Sequence, residues 1–271
     1  MKIKKEYEFT HNRQLWRIIP TATGKVILEE RDTELKEAYF NCLEMNKGKI
    51  IFENLQLDEK FWIGIEGVYT DIIFFHKYLK PDMPAHKGVI ALDINSRSVL
   101  WENTEYNFLF IADKKLYCYK SFFEGKRYFV LDFLTGVPIK DFGDDYSEIS
   151  RIKEGVSGEN EENDYIFPEP FDENKSSDPL LLNKINREKI AAGKIQTARF
   201  GDLLFLHTLE NTRRGVRNIF KVIEIPTGKI ILEETINKEI EKFLPETFFI
   251  KGSLLFLLKE KDTLVVYSLK Q

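Results

Sequence analysis

The most regular feature of the chain is a recurring pair of apolar strands separated by a short polar turn. One copy occupies Tyr39–Asn54, and further copies occupy Val89–Asn103, Tyr128–Phe142 and Phe220–Glu234. In each copy an apolar strand ends in an acidic residue, a tight turn follows, and a second apolar strand ends in polar residues. Short strands that repeat about every 40 residues are typical of propeller blades.

Another pair of strands completes each repeated unit. The predicted pairs are Arg13–Ile19 with Lys25–Arg31, Trp62–Tyr69 with Ile72–Tyr78, Phe108–Ala112 with Leu116–Lys120, Gln196–Phe200 with Leu203–Leu209, and Thr247–Ile250 with Leu254–Lys259. Turn-forming residues such as Asp113-Lys114 and Gly201-Asp202 separate the strands within these pairs. Each unit therefore holds four strands.

The pattern predicts an all-β fold, a five-bladed β-propeller of four-stranded antiparallel blades that forms a single domain over residues 1–271. The fifth unit ends with Leu264–Leu269 and lacks an outer strand, whereas Ile3–Phe9 is a strand without a place in the first unit. We therefore expect Ile3–Phe9 to pair with Leu264–Leu269 and close the last blade, because pairing removes an open sheet edge. Four blades, or a sixth blade within the insertion, are the alternatives.

A longer spacing between the third and fourth units indicates an insertion at residues 144–194. Its segment 153–178 is acidic and contains prolines, which is typical of a loop. Residues Asp178–Gly193 are predicted to form a helix between a capping aspartate and a terminal glycine. A second short helix is predicted at Lys238–Leu244, where Pro245 would stop it.

Composition and charge exclude several classes of protein. The chain has 271 residues and a formal net charge of -4, from 40 basic and 44 acidic residues, so it lacks the basic footprint of a nucleic-acid-binding protein. The N-terminal Met1–Phe9 is basic but is followed by no apolar run, so we expect no secretory signal. No apolar run approaches the ~18 residues of a membrane span. We expect a cytoplasmic monomer with no membrane contact. Cys42 and Cys118 lie in predicted strands and are predicted to be buried free thiols, with a disulfide as the alternative.

Propeller topology places the predicted long loops on one face. They are Leu55–Lys60, Leu79–Lys87, the insertion at 144–194, Asn211–Arg217 and Asn237–Pro245. A rigid scaffold with one elaborated face usually functions through that face. The ligand-binding candidates predicted there are Trp62, Asp58, Glu59, Glu66, Glu30, Arg31, His76, Lys77 and His207.

These residue types allow several kinds of chemistry. Trp62, beside carboxylates and a histidine, could hold a sugar or a nucleotide base, or it could pack between blades. His76 and His207 end equivalent strands and are either hydrogen-bonded wall residues or ligands. The acidic candidates could include the acid and base of a glycoside hydrolase, or they could form a solvated face.

Other site motifs are missing from the sequence. The four histidines and two cysteines show no short metal-binding spacing, and neither a nucleophile motif nor a phosphate loop occurs. We therefore expect no metal and no cofactor, and no catalytic residue is assigned.

Two resemblances accompany this pattern. Pro226–Glu234 and Ser98–Glu102 resemble the blade ends of quinoprotein-type (PQQ-like) propellers, which implies the architecture only, since nothing in the chain supports a quinone cofactor. The stretches Leu57–Glu66, Lys80–Gly88 and Phe167–Pro170 resemble an uncharacterised bacterial family of unknown function. The resemblance implies the repeat unit and no particular chemistry.

Two functional hypotheses follow. The first is a non-catalytic scaffold or binding module that holds a protein or a small polar ligand on the face with the long loops. The alternative is a hydrolase that acts on a glycan or a similar polar substrate through carboxylates at the channel mouth. The absence of a catalytic motif favours the binding module.

Overall fold

The computed structural model describes residues 2–80, 83–159, 164–171, 195–213, 215–240 and 247–270. Over these ranges the chain has 22 strands and one helix, which confirms the prediction of an all-β chain. No helix within these ranges has the length and apolar character needed to cross a membrane.

The strands and the helix are numbered in chain order. The first nine strands are β1 (Lys2–Thr10), β2 (Gln14–Pro20), β3 (Lys25–Asp32), β4 (Glu37–Glu44), β5 (Ile50–Leu55), β6 (Ile63–Tyr69), β7 (Ile72–Lys80), β8 (Met83–Asp93) and β9 (Ser98–Asn103). They are followed by β10 (Asn107–Ala112), β11 (Lys115–Phe122), β12 (Gly125–Asp132), β13 (Pro138–Gly143), α1 (Ser147–Glu159), β14 (Tyr165–Ile166) and β15 (Glu169–Pro170). The remaining strands are β16 (Gln196–Phe200), β17 (Leu203–Thr212), β18 (Gly215–Glu224), β19 (Lys229–Ile240), β20 (Phe248–Lys251), β21 (Leu254–Lys259) and β22 (Thr263–Lys270).

The chain divides into two compact units, of which one comprises residues 14–45 and 49–161. Its strands form three successive antiparallel groups of four: β2 to β5, β6 to β9, and β10 to β13. One parallel pair, Asn107 with Gly88, joins the last two groups into a single sheet. The four-stranded units predicted for this part of the chain are therefore confirmed.

Alternating apolar residues of these groups build several buried cores, two of which share strand β7. One core includes Phe40 and Phe75, whose rings meet edge to face with centroids 4.7 Å apart. The other includes Phe74, from the opposite face of the same strand, together with Cys118. Strand β7 thus contributes to both cores, as expected for a strand buried on two faces.

The two cysteines lie within these cores. Cys42 and Cys118 are buried and free, which confirms the prediction of free thiols. Burial raises the pKa of each thiol to about 12, so neither is a reactive thiolate near neutral pH.

The other compact unit comprises residues 1–13, 46–48 and 162–271. One of its sheets has the order β15-β16-β17-β18-β19, and the other has the order β1-β22-β21-β20-β14. Strand β1 pairs antiparallel with β22, and the register places Ile3 opposite Leu269 and Phe9 opposite Leu264. The predicted pairing of the N-terminal strand with the last strand is confirmed.

Several segments predicted as loops are instead strands. Within Leu79–Lys87, β7 and β8 continue as a hairpin arm in which Tyr78 pairs with His86. Pro84 lies near the start of β8, where a proline is tolerated, and Pro81 lies outside the described residues. Most of Asn211–Arg217 likewise extends β17 and β18, with Thr212 opposite Gly215.

The insertion and the second predicted helix also differ from expectation. Residues 147–159 form the helix α1 where a loop was predicted from residue 153, and Ile149 of this helix is buried against the sheet of β10 to β13. Residues 238–240 belong to β19, where pairing of Ile240 with Val216 overrides the helical pattern. The rest of that segment and the predicted helix Asp178–Gly193 lie outside the described residues.

Candidate functional site

Three neighbouring strands bring a carboxylate and two imidazoles together. Glu66 lies on β6, His76 on β7 and His86 on β8. The register of β6 with β7 shifts between Ile65 and Gly67, so Glu66 is the extra residue of a β-bulge. Bulges redirect a side chain out of the regular alternation. Glu66, His76 and His86 are called the histidine–glutamate site below.

A single carboxylate oxygen lies close to both imidazoles. Oε1 of Glu66 is 3.2 Å from Nδ1 of His76 and 2.7 Å from Nδ1 of His86. The two imidazole rings are stacked, with centroids 3.5 Å apart and an interplanar angle of 8°. One ligand atom from each of the three residues lies within 4.8 Å of the other two. The site is therefore a compact set of two nitrogen donors and one oxygen donor.

Burial increases from one side of the site to the other. The side chain of His86 is 39% exposed and that of Glu66 is 14% exposed, whereas His76 is completely buried. Burial alone would raise the pKa of Glu66, but its polar contacts with His76 and His86 and the charge on these rings outweigh burial and lower that pKa. The glutamate is consequently an anion in the site at neutral pH.

The buried imidazole of His76 is incompletely satisfied. Among the described residues, neither Nδ1 nor Nε2 has a hydrogen-bond partner of good geometry. The approach of Nδ1 to Glu66 at 3.2 Å is therefore a polar contact rather than a directed hydrogen bond. Buried polar groups without such partners are rare in native proteins and call for an explanation, such as an absent ion or a catalytic role.

A glycine on the adjacent strand leaves room for this ring. Gly64 lies opposite His76 in the register of β6 with β7. A Cβ atom at Gly64 would lie 3.0 Å from Cε1 and 3.1 Å from Nε2 of His76. Both distances are shorter than ordinary carbon contacts, so an alanine would displace the imidazole.

Aromatic residues line the side of the site next to His86. Tyr78 meets His76 and His86 edge-on, with ring centroids 5.0 and 5.7 Å away, and its ring is 6.0 Å from that of Trp62. Trp62 is half-buried, and its backbone N–H donates to Oε1 of Glu59 over 2.9 Å. Tyr78 thus contacts both imidazoles, and Trp62 extends this aromatic group through its contact with Tyr78.

Arg31 supports the strand that carries Gly64. Its guanidinium donates to the backbone carbonyls of Phe61 and Ile63 and, through Nε, to Oε1 of Glu29 over 3.0 Å. Arg31 and Glu29 are both buried. Arg31 therefore has a structural role. Its ion pair with Glu29 and its hydrogen bonds to the backbone link β3 to the start of β6.

The other acidic candidates either accept hydrogen bonds elsewhere or lie outside the histidine–glutamate site. Glu30 is buried and accepts a hydrogen bond of 3.1 Å from Nδ2 of Asn41. Glu59 accepts from the backbone N–H groups of Phe61 and Trp62, and Asp58 is exposed. None of these three carboxylates contributes a ligand atom to the histidine–glutamate site within the described residues.

The last two candidates have other environments. Lys77 forms an ion pair of 2.6 Å with Glu102. His207 belongs to the other compact unit, where it is buried with Nδ1 3.3 Å from Oε1 of Gln196 and 3.4 Å from Oγ1 of Thr247. Burial lowers the pKa of His207 to about 4, so it is neutral near pH 7.

Sequence reasoning missed two contributors, His86 and Tyr78. His86 was placed in a predicted loop, and its contact with Glu66 depends on a hairpin register that a linear spacing search does not contain. The signal that could have located it is the alternation across the hairpin, which pairs His86 with Tyr78 and sets both beside His76.

Comparison with known proteins gives one family match. Residues 19–101 match a family model described as a domain of unknown function (DUF4905), and this range includes the whole histidine–glutamate site. No curated protein is significantly similar to the chain.

Several solved structures are similar at low identity. The β-propeller domain of the Trilobed protease from Pyrococcus furiosus is 13% identical, with 97% of this chain and 70% of that chain covered and a TM-score of 0.33. Hsv2 from Kluyveromyces lactis is 12% identical, with 96% and 74% covered and a TM-score of 0.32. An acylaminoacyl peptidase from Pyrococcus horikoshii is 11% identical, with 93% and 36% covered and a TM-score of 0.32. TM-scores of this size support no argument about architecture or activity.

Proposed function

We propose that this chain is a non-catalytic binding module that holds a small polar ligand at the histidine–glutamate site. The observation that carries the proposal is the buried, incompletely satisfied imidazole of His76 beside the anionic Glu66 and the half-exposed His86. Leaving a buried polar group unsatisfied costs about 1–3 kcal/mol. A ligand that reaches this group recovers part of that free energy on binding.

The neighbouring aromatic residues favour a ligand with a ring. Tyr78 meets His86 edge to face and Trp62 meets Tyr78 in the same way, and aromatic side chains commonly pack against sugar or base rings in binding sites. We therefore propose a ligand that combines such a ring with polar substituents, for which monosaccharides and mononucleotides are suitable probes.

The scaffold of this module is proposed to be a five-bladed propeller. Five antiparallel groups support it: the three four-stranded groups of residues 14–45 and 49–161, and two further sheets in which β15 and β14 add a short fifth strand to β16–β19 and to β20–β22 with β1. The pairing of β1 with β22 is the arrangement expected of a blade completed by the N-terminal strand.

The hydrolase alternative has weaker support. Retaining and inverting glycosidases need two carboxyl groups about 5–9.5 Å apart that face the scissile bond. Glu30 is buried against Asn41, Glu59 accepts backbone N–H groups and Glu66 contacts two imidazoles. These carboxylates already have structural partners, which favours binding over acid–base catalysis.

Calorimetric titration tests the proposal with a panel of glucose, galactose, AMP and UMP. Wild-type protein should bind at least one probe, and His86→Ala and Trp62→Ala should weaken that binding tenfold or more. Lys77→Ala is the matched control, because Lys77 pairs with Glu102 outside the site, and it should bind as the wild type does. Absence of binding to the whole panel, or equal binding by His86→Ala, would contradict the proposal.

A further inference from the structure

We propose that the histidine–glutamate site binds one divalent cation of the zinc class, through Oε1 of Glu66 and Nδ1 of both His76 and His86. This inference deepens the proposed function, on which it rests for the identity of the site. It assigns the class of cation that anchors the polar ligand.

The donor set matches the preference of this class of cation. Two imidazole nitrogens and one carboxylate oxygen are the protein ligands of many open zinc sites, in which a fourth position remains for water or a bound molecule. Imidazole also suits copper, nickel and iron, whereas magnesium and calcium prefer sites made entirely of oxygen. Two nitrogens among three donors therefore favour zinc and its neighbours.

The distances are close to those of a coordination sphere. Bonds of ~2.0–2.1 Å in a tetrahedral arrangement separate adjacent ligand atoms by about 3.3 Å. The atoms of Glu66 and His76 are already 3.2 Å apart. Those of Glu66 and His86 are 2.7 Å apart and would separate by about 0.6 Å on exchanging their hydrogen bond for two metal bonds.

The burial gradient allows this adjustment. His86 is 39% exposed and lies on the hairpin arm of β7 and β8, so its ring can tilt away from the stacked position. His76 is fixed by the interior, in the space left by Gly64. The site therefore combines a fixed ligand, His76, with a carboxylate that the β-bulge turns towards it, Glu66, and an adjustable ligand, His86.

A cation also resolves the two unusual features of the site. A single carboxylate oxygen approaches two imidazole nitrogens, and Nδ1 of the completely buried His76 has no directed partner among the described residues. A cation placed between the three atoms accepts a lone pair from each, which satisfies Nδ1 of His76. The anionic Glu66 offsets part of the cation's charge.

The test uses the full chain without an affinity tag, because a histidine tag binds the same metals. Protein stripped with EDTA is dialysed against Zn²⁺, and bound zinc is measured by inductively coupled plasma mass spectrometry. Co²⁺ replaces Zn²⁺ in a parallel sample, since tetrahedral cobalt gives visible absorption bands of high intensity. The variants are His86→Ala and Glu66→Gln, and His11→Ala is the control, because it removes a histidine from the other unit.

We expect one zinc per chain in the wild type and in His11→Ala, and at least tenfold weaker binding in both site variants. Circular dichroism of each variant checks that the strands remain folded. Substoichiometric zinc in the wild type, or full zinc binding by both folded site variants, would overturn the inference.

The experiment separates this inference from the proposed function. Zinc binding is measured without any organic probe, and the sugar and nucleotide titrations are repeated in EDTA. Probe binding in EDTA by a chain that binds no zinc would sink the metal site and leave the binding module standing. Zinc binding by a chain that binds no organic probe would support the metal site and contradict the proposed binding module.

Discussion

His207 should make the stability of this protein depend on pH in a predictable window. The imidazole is completely buried between Gln196 and Thr247, and burial lowers its pKa from 6.5 to about 4. The unfolded chain therefore binds a proton at a higher pH than the folded chain does. Stability that is fully present above pH ~6.5 should decline as the pH falls towards 4 and then level off with respect to this group.

The expected magnitude follows from the shift of about 2.5 pKa units. Each unit corresponds to about 1.36 kcal/mol, so His207 should remove about 3 kcal/mol of unfolding free energy between pH 7 and pH 4. Urea unfolding followed by circular dichroism at pH 7, 5.5 and 4 measures the loss in the wild type and in His207→Gln. The wild type should lose about 3 kcal/mol more than the variant does, because glutamine does not titrate.

The control for this prediction is His11→Gln, which removes one imidazole and leaves His207 in place. It should retain the extra acid sensitivity of the wild type. Equal losses of stability in the wild type and in His207→Gln would refute the argument, since they would show that His207 titrates alike in the folded and unfolded chains.

Three further substitutions test the packing around the sheets and the site. Phe9→Ala should cost about 3–5 kcal/mol in urea unfolding, because the ring is buried where β1 pairs with β22, whereas the exposed Lys5→Ala should change stability by less than ~0.5 kcal/mol. Arg31→Ala should cost about 3–5 kcal/mol in the same assay because it removes the nearest cation from the buried Glu29 and leaves only Arg17, 4.0 Å away, and a stability equal to wild type would contradict its structural role. Gly64→Ala should weaken zinc binding tenfold or more by displacing His76, while Gly67→Ala, whose Cβ would meet only an ordinary contact at 3.8 Å, should leave zinc binding unchanged.

The strands could be predicted because their signals are local. Alternating apolar residues and turn residues mark both ends of most hairpins, and Asp113 and Lys114 adopt the left-handed φ values of 48° and 58° that a two-residue hairpin turn requires. The pairing of β1 with β22 was predictable for a different reason. The N-terminal strand Ile3–Phe9 had no place in the first repeated unit, and the last unit lacked an outer strand. Pairing these two strands was therefore the simplest arrangement.

The segment Leu79–Lys87 could not be predicted in the same way. Its prolines favour a loop, yet the register of Tyr78 with His86 shows that pairing continues along the arm. Tertiary pairing of this kind overrides local preference. Because the segment was interpreted as a loop, the third member of the histidine–glutamate site was not identified.

The candidate site was predicted in part. Glu66 was selected among the carboxylates of the face with the long loops, and His76 and Trp62 were selected from their positions at strand ends. Glu66 and His76 lie on the neighbouring strands β6 and β7, and Trp62 precedes β6 and contacts Tyr78. Arg31 was also selected, but its hydrogen bonds to Phe61 and Ile63 depend on packing between sheets that the sequence does not encode locally. The bulge at Glu66 likewise depends on how β6 pairs with β7, which the residue types of the segment do not indicate.

Anomalous diffraction at the zinc absorption edge, from crystals of the full chain grown with Zn²⁺, tests the central claim most directly. We expect one strong peak about 2.0–2.1 Å from Oε1 of Glu66 and from Nδ1 of both His76 and His86. A map without a peak between these three residues, from crystals in which they are well ordered, would contradict the account.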